Sequence, residues 1–580
     1  MLIDIKVAPD ETVKVAGIQQ YNLNEDRGFW GIIRSANHPE MPADLDKTFG
    51  IRLQDYLNHY VNDSVCLFDK TNNRFLIGRD WPGNVMLYYW IATVGNSKRL
   101  IVSNELGKLA AEVPGLKASE QGIRLFLTSY KHHHSQTIYE RVEILPPGFS
   151  LDFDLTSGRL SVEPWFNFHR HIAIKNPRKA LQIFRSTVDA SIQRIVSKED
   201  KIALMLSGGT DSTLLLDRLF HLGYKNVTLF TAELAGQNAR VQRAEARART
   251  YGFELECIET NPQAYKEWLE IIGKTYTAPS DARPNGWLLE LPHVYKRLSE
   301  HYSGQSAHIM WGYANAFHSP YIPLKRIPFI LLAYILSRFV PIAKGDRLNS
   351  IGHFIIWLIG KIHFIQTNKV TISQKQAIEK ALIDFINDVR HPDELLNLKS
   401  IFGYVKVQEW IMHRFQNAAE LYYPQAHNVW PFFDRRFQEV TMTISLRARF
   451  GGTANWFNMF SVKSRKNLIL KAIERTIPQT TLQESLLGGN SYSRPSMRLL
   501  YQHQACYCAI NDIFLDPKSQ TLLEHLSKQH IFIVPGSFDE FCNLSLPEIE
   551  KLSGVLMMLK HFELDKVAYS CIDGVIDNES

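Results

Sequence analysis

The chain has 580 residues, 45% hydrophobic and 21% charged, which excludes a wholly disordered or collagen-like protein. Its 65 Lys and Arg against 59 Asp and Glu leave a formal charge of +6, a mild bias that does not point to nucleic acid without clustering on one face. The six cysteines show no disulfide-framework spacing, and Cys506-x-Cys508 lacks a second pair for a zinc site, so they read as reduced thiols of a cytoplasmic protein.

The first residues, MLIDIKVAPDETVKV, carry early charges and no apolar signal region. Residues 1 to about 165 read as β-rich. Runs such as SVCLFD, RFLIGRD, VMLYYWIAT and RLIVSNE are divided by turn residues, and Pro146-Pro147-Gly148 precedes another strand-like run, SLDFDL. After Trp165 the pattern changes. Residues 176–198 have helical spacing. Strands are then expected at Ile202–Leu206, Val227–Thr231, Leu255–Ile258 and His308–Trp311, with helices at Asp211–Leu222, Ala239–Tyr251 and 287–301 between them. Continuous apolar strands alternating with helices predict a parallel sheet covered on both faces. From about 320 onward the patterns are mostly helical. Residues 327–342 and 351–365 are apolar but broken by Arg338 and Lys361, and basic residues flank them. They read either as amphipathic helices packed on the protein or as peripheral membrane contact through 327–365.

The chemistry-bearing motif is Ser207-Gly208-Gly209-Thr210-Asp211-Ser212, placed where a strand ends and a helix begins. Gly-Gly alone reads as a turn. At this junction the glycines let the backbone approach an anion, and the helix start turns N–H groups and partial positive charge toward it. Ser207 and Ser212 add hydroxyls, and Asp211 supplies a carboxylate suited to Mg²⁺ beside phosphates. No Gly-Lys-Ser/Thr is present, so this is not a Walker loop. His132-His133-His134 has no partner spacing for a metal site and reads as an exposed loop. The arginines at 240, 243, 247 and 249 read mostly as a solvated helix face, with one of them near a phosphate site.

The Ser-Gly-Gly-x-Asp-Ser loop resembles the pyrophosphate loop of ATP pyrophosphatases, and the wider chain resembles the asparagine synthetase family. The resemblance is carried by residues 61–89 with their Arg-Asp, Gly and Leu-Tyr-Tyr, by SNEL at 103–106 and by TIYERVEILPPG at 137–148. It continues in 413–440, with a long helix and a Pro-Phe-Phe-Asp turn, and in KNLILKAIERTIP at 466–478. It implies an α/β and α+β protein. An N-terminal amidotransferase-like αββα sandwich would span 1–165. A synthetase domain with a parallel-sheet ATP-pyrophosphatase core and many helices would span 175–580. It also implies ATP and Mg²⁺ as cofactors. Ser207, Gly208, Gly209, Asp211, Ser212, Phe230 and Gly312 would hold the nucleotide, Asp211 the metal, and Arg414 the substrate.

The chain departs from that family in three places. Glutamine-using members carry a nucleophilic cysteine at position 2, whereas this chain has Leu2, which has no thiol, and no Asn-Gly-Glu segment is evident in 20–60. Members lacking that cysteine include lasso-peptide cyclases and β-lactam synthetases. The loop after the fourth strand reads Gly312-Tyr313-Ala314-Asn315-Ala316, so the family's metal-binding Asp falls on Ala316, while Tyr313 matches the β-lactam synthetase tyrosine. The family's lysine after Pro478 falls on Leu486, with Arg494 and Arg498 as nearby cations. The catalytic candidates are therefore Tyr313 and Arg494.

The expected function is an ATP-dependent, AMP-forming carbon–nitrogen ligase acting through an acyl-adenylate on a small-molecule or peptide carboxylate, without its own glutaminase. Intramolecular amide formation is the first reading, with a precursor peptide and a protease as expected partners. An asparagine-synthetase-like enzyme using free ammonia and a catalytically decayed scaffold are the others.

Overall fold

Alternating apolar and polar residues in the first 165 positions build two antiparallel sheets. In chain order the strands are β1 (Leu2–Val7), β2 (Thr12–Ala16), β3 (Gln19–Leu23), β4 (Gly28–Ile33), β5 (Ser64–Asp69) and β6 (Arg74–Gly78). They continue as β7 (Tyr88–Val94), β8 (Ser97–Ser103), β9 (Val142–Ile144), β10 (Phe149–Asp154) and β11 (Leu160–Pro164). One sheet has the order β2-β1-β8-β7-β9 and the other β11-β10-β6-β5-β4-β3. In FSLDFD of β10 every second side chain is buried, the period-two signature of a half-buried strand. Ile3, Ile5, Leu100 and Val102 of the first sheet share a core with Phe75, Ile77, Leu151 and Phe153 of the second. A short helix α1 (Leu106–Glu112) buries Leu106 and Leu109.

The computed structural model describes residues 2–7, 12–16, 19–23, 28–33, 53, 57, 64–80, 85–94, 97–117, 119, 137, 139–146, 148–165, 174–233, 238–259, 293–297, 307–312, 343–344, 347–348, 426–444, 448, 467–474 and single positions from 508 to 524.

Arg79 and Asp80, in the Arg-Asp segment of the sequence resemblance, hold this region together. Arg79 is fully buried, and its guanidinium donates to the carbonyls of Val85 and Leu145, both at 2.6 Å. Burial pulls its pKa down to about 10, partly offset by Asp80. Asp80 in turn accepts from the Ser64 hydroxyl and the Val85 amide.

The second region starts at Asn176, whose side chain accepts from the amides of Arg178 and Lys179 and caps helix α2 (Pro177–Ile195). Then follow β12 (Lys201–Met205), α3 (Thr210–His221), β13 (Val227–Glu233), α4 (Asn238–Tyr251), β14 (Leu255–Glu259) and β15 (Ala307–Trp311). A two-stranded pair, β16 (Ala343–Lys344) with β17 (Arg347–Leu348), lies between the two apolar segments of 327–365, which otherwise fall outside the described residues. Among the described residues no helix is long and apolar enough to cross a membrane.

The parallel sheet runs β14-β13-β12-β15-β18, every pair parallel, where β18 is Ala426–Val429. The strand β18 lies within the stretch beyond residue 320 whose pattern reads as mostly helical. AHNV is short and half polar, and its place in the sheet comes from tertiary partners: Trp311 Nε1 donates to the Asn428 side-chain oxygen at 2.8 Å, and the Asn428 amide donates to Tyr295 at 2.7 Å. The α/β and α+β class stands as expected.

One face of the sheet presents Ile202, Leu204, Leu206, Leu229 and Met310 to a core shared with α2, α3, α4 and α6 (Asn467–Ala472). Helix α3 is buried nearly all round, with Leu214, Leu215, Leu216 and Leu219 fully covered. Each such side chain contributes about 1.5–3 kcal/mol by leaving water. The stretch Pro431–Phe433 forms a 3₁₀ turn leading into α5 (Arg435–Met442). Asp434 caps α5 through the Phe437 amide and pairs with Arg194 of α2. Arg435 reaches back to the first region, donating to the Leu57 carbonyl at 3.0 Å and lying over the Trp165 ring at 5.3 Å.

Candidate functional site

The sheet order makes β12 and β15 neighbours whose following chains leave in opposite directions: from β12 the sheet grows through β13 to β14, and from β15 to β18. That is a topological switch point, where a crevice opens at the carboxyl ends of the strands. Ser207–Ser212 leaves β12 at that point, and Gly312 leaves β15 beside it.

The loop turns through Gly208, whose φ of 67° lies in the left-handed region that favours glycine. Gly209 is the N-cap of α3 and offers no side-chain cap. The first intrahelical bond runs from the Thr213 amide to the Gly209 carbonyl at 3.1 Å. The amides of Thr210, Asp211 and Ser212 lie ahead of it, where a helix presents N–H groups to an anion. Side-chain bonds brace the turn. The Gly209 amide donates to Ser207 Oγ at 3.2 Å, Ser207 and Ser212 hydroxyls meet at 3.1 Å, and Thr210 Oγ1 donates to Asp211 Oδ1 at 3.0 Å. Thr213 Oγ1 donates to the Gly209 carbonyl at 2.6 Å. Ser212 is buried, whereas Asp211 is half-buried.

Gly312 is packed against the start of α3. A Cβ there would lie 2.4 Å from Ser212 Cα, so the end of β15 and the first turn of α3 meet backbone to backbone. Phe230 is buried on β13, and its carbonyl accepts from the Leu206 amide at 2.7 Å, immediately before the loop. The structure thus brings Ser207, Gly208, Gly209, Asp211, Ser212 and Gly312 to one edge, with Phe230 on the adjoining strand. Tyr313, Arg414, Arg494, Ala316, Leu486 and His132–His134 lie outside the described residues.

Two features go beyond the sequence reading. That reading left open which of the α4 arginines leaves the solvated face. Arg249 is well exposed and pairs with Glu245, but Arg247 is 1% exposed. Its Nε donates to Thr213 Oγ1 at 2.8 Å and its Nη1 to the Arg243 carbonyl at 3.1 Å. The helix repeat places it toward α3, a direction that Arg-rich composition hides. The second feature is aromatic. Trp311 at the end of β15 stacks on Trp430 at the end of β18, with centroids 5.5 Å apart and planes 12° from parallel.

Among the described residues no group of three His, Cys, Asp or Glu side chains could hold a metal ion. Mg²⁺ commonly takes one or two carboxylates and completes its shell with phosphates and water. Asp211, half-buried beside an anion-facing helix start, fits that donor set.

No protein-family profile matches the chain, and no curated protein matches it. Among solved structures there is a likeness to NMN synthetase from Francisella tularensis, 13% identical, covering 40% of this chain and 94% of that one, with a TM-score of 0.19. A score that low fixes neither the fold nor the function of this chain.

Proposed function

We propose that the chain is an ATP-dependent ligase that forms amide bonds through an acyl-adenylate and has no glutaminase of its own. The observation that carries this reading is the Ser207–Ser212 loop at the switch point, with Gly208 left-handed and Gly312 pressed on Ser212. Such a cradle suits the pyrophosphate portion of a nucleotide.

In this reading the triphosphate lies across the amides of 210–212 and the hydroxyls of Ser207 and Ser212. Mg²⁺ held by Asp211 would neutralise phosphate charge when bound. A substrate carboxylate oxygen attacks the α-phosphorus and pyrophosphate leaves. An amine of the same substrate then attacks the acyl carbon, loses a proton, and AMP leaves. A peptide or peptide-like carboxylate is the substrate class, with Arg414 as its contact and Tyr313 and Arg494 as catalytic groups. A precursor peptide and a protease are the proposed partners.

The test is pyrophosphate release from ATP with acidic amino acids and candidate peptides, beside an Asp211→Ala control. Release above the control supports a ligase. Equal background across all substrates would overturn it in favour of a scaffold.

A further inference from the structure

We propose that Arg247 is a positioning residue of the nucleotide loop: its guanidinium orients the Thr213 hydroxyl, which fixes the Gly209 carbonyl and so aims the amide that follows. The inference rests on the reading of Ser207–Ser212 as the nucleotide cradle.

The direction of each bond follows from chemistry. A guanidinium only donates, so at 2.8 Å Thr213 Oγ1 must accept from Arg247 Nε. The single hydroxyl proton is then left for the Gly209 carbonyl, 2.6 Å away. That carbonyl also receives the Thr213 amide at 3.1 Å and the Ser212 hydroxyl at 3.4 Å. Three donors therefore hold one carbonyl pointing into the helix. No peptide bond among the described residues is cis. In a trans peptide the C=O and the following N–H point in opposite directions. Fixing Gly209 C=O inward thus fixes Thr210 N–H outward, toward the crevice where a phosphate would sit.

Charge acts in the same sense. Burial and the neighbouring Arg243 lower the pKa of Arg247 to about 10, which leaves it protonated at neutral pH. A buried cation one hydroxyl away from the positive end of α3 is repelled by that end and by Arg243. An anion bound at the loop relieves the repulsion, so Arg247 both aims the cradle and favours its filling.

The experiment compares the wild type with Arg247→Met, Thr213→Val, Thr213→Ser and the Arg247→Met/Thr213→Val pair. Mg-ATP affinity is read by calorimetry, and amide exchange at Thr213 by mass spectrometry or NMR. Arg247→Met and Thr213→Val are each expected to weaken affinity about tenfold, the scale of losing one charge-assisted hydrogen bond. Thr213→Ser, which keeps the hydroxyl, should stay near wild type. The double variant should be no weaker than the worse single, because both remove one relay. Exchange at Thr213 should speed up in both singles. Wild-type affinity in Arg247→Met, or additive losses in the double variant, would overturn the relay. If the wild type binds no Mg-ATP, the nucleotide reading falls, and exchange alone then decides the relay: unchanged exchange in Arg247→Met overturns it. Thr213→Val is nearly isosteric and keeps the test open if Arg247→Met folds poorly.

Discussion

Gly312 and Ser212 touch through their backbones: a methyl group on Gly312 would come within 2.5 Å of the Ser212 nitrogen as well as 2.4 Å of its Cα. The contact locks the carboxyl end of β15 to the start of α3. Gly312→Ala is therefore expected to cost about 1–3 kcal/mol through overpacking. It should also weaken Mg-ATP binding, because the relief must come from moving the loop. Thermal melting and calorimetry check the two effects. A variant unchanged in both would show that the end of β15 is not seated on the start of α3.

Asp211 and Ser212 should separate by readout. The Ser212 hydroxyl is engaged with Ser207 Oγ and the Gly209 carbonyl, so Ser212→Ala should cost about 1 kcal/mol of stability. The half-buried Asp211 carboxylate is proposed to hold the metal, so Asp211→Ala should reduce Mg-ATP affinity more than Ser212→Ala does. Equal affinities for Asp211→Ala and wild type would move the metal elsewhere.

Residue 2 opens β1, a strand paired on both sides, with Leu2 opposite Ala16 and Ser103. A leucine there has no nucleophile, so incubation with glutamine should release no ammonia above the uncatalysed rate. Leu2→Cys alone should not restore release, since no Asn-Gly-Glu segment to hold glutamine is evident in 20–60. Sustained ammonia production by the wild type would refute this.

Asp434 is fully buried, caps α5 and receives both nitrogens of the Arg194 fork. Asp434→Ala removes the cap and strands a partly buried guanidinium, at a cost of roughly 3 kcal/mol. Asp434→Asn keeps a capping oxygen and should cost less. Urea unfolding gives both values, and a loss under about 0.5 kcal/mol for alanine would class the pair with surface ion pairs.

His308, at the start of β15, is buried and lies 3.2 Å from Asp200. Burial lowers its pKa from 6.5 and outweighs the pull of Asp200 in the other direction. The unfolded chain then binds the proton more readily than the folded one. The stabilising contribution is present above pH 6.5 and is lost as the pH falls below it toward the folded value. Urea midpoints should drop on going below pH 6.5, and His308→Gln should flatten that drop. An equally steep drop in the variant would assign the effect to another group.

The strand–loop–helix unit was legible because its signals are local. An unbroken apolar run ends at Leu206, two glycines follow, and a hydrophobic helix begins within four residues. Its expected bounds, Ile202–Leu206 and Asp211–Leu222, differ from the observed Lys201–Met205 and Thr210–His221 by a single residue at each end. The strand β18 was not legible, because Asn428 is buried by bonds to Trp311 and Tyr295, both distant in sequence. Arg247 was hidden for the same reason. In EARART composition does not distinguish it from the exposed Arg249, and its partner, the Thr213 hydroxyl, lies on another helix. Sequence patterns report faces and turns, whereas buried polar pairs are decided by which elements happen to meet.

The pairing of β15 with β18 joins segments far apart in the chain: Trp311 and Asn428 are separated by 117 residues. Every side chain of β15 is buried in the finished sheet. While the chain is being made, β15 emerges after its neighbour β12 but long before β18, and the edge that faces β18 stays unpaired until residue 426 is synthesised. Closing so long a loop adds entropy cost and slows completion of the sheet. Truncations that stop before Ala426 should therefore yield aggregating products, while cleavage between 312 and 426 after folding should leave the two fragments held together through this seam.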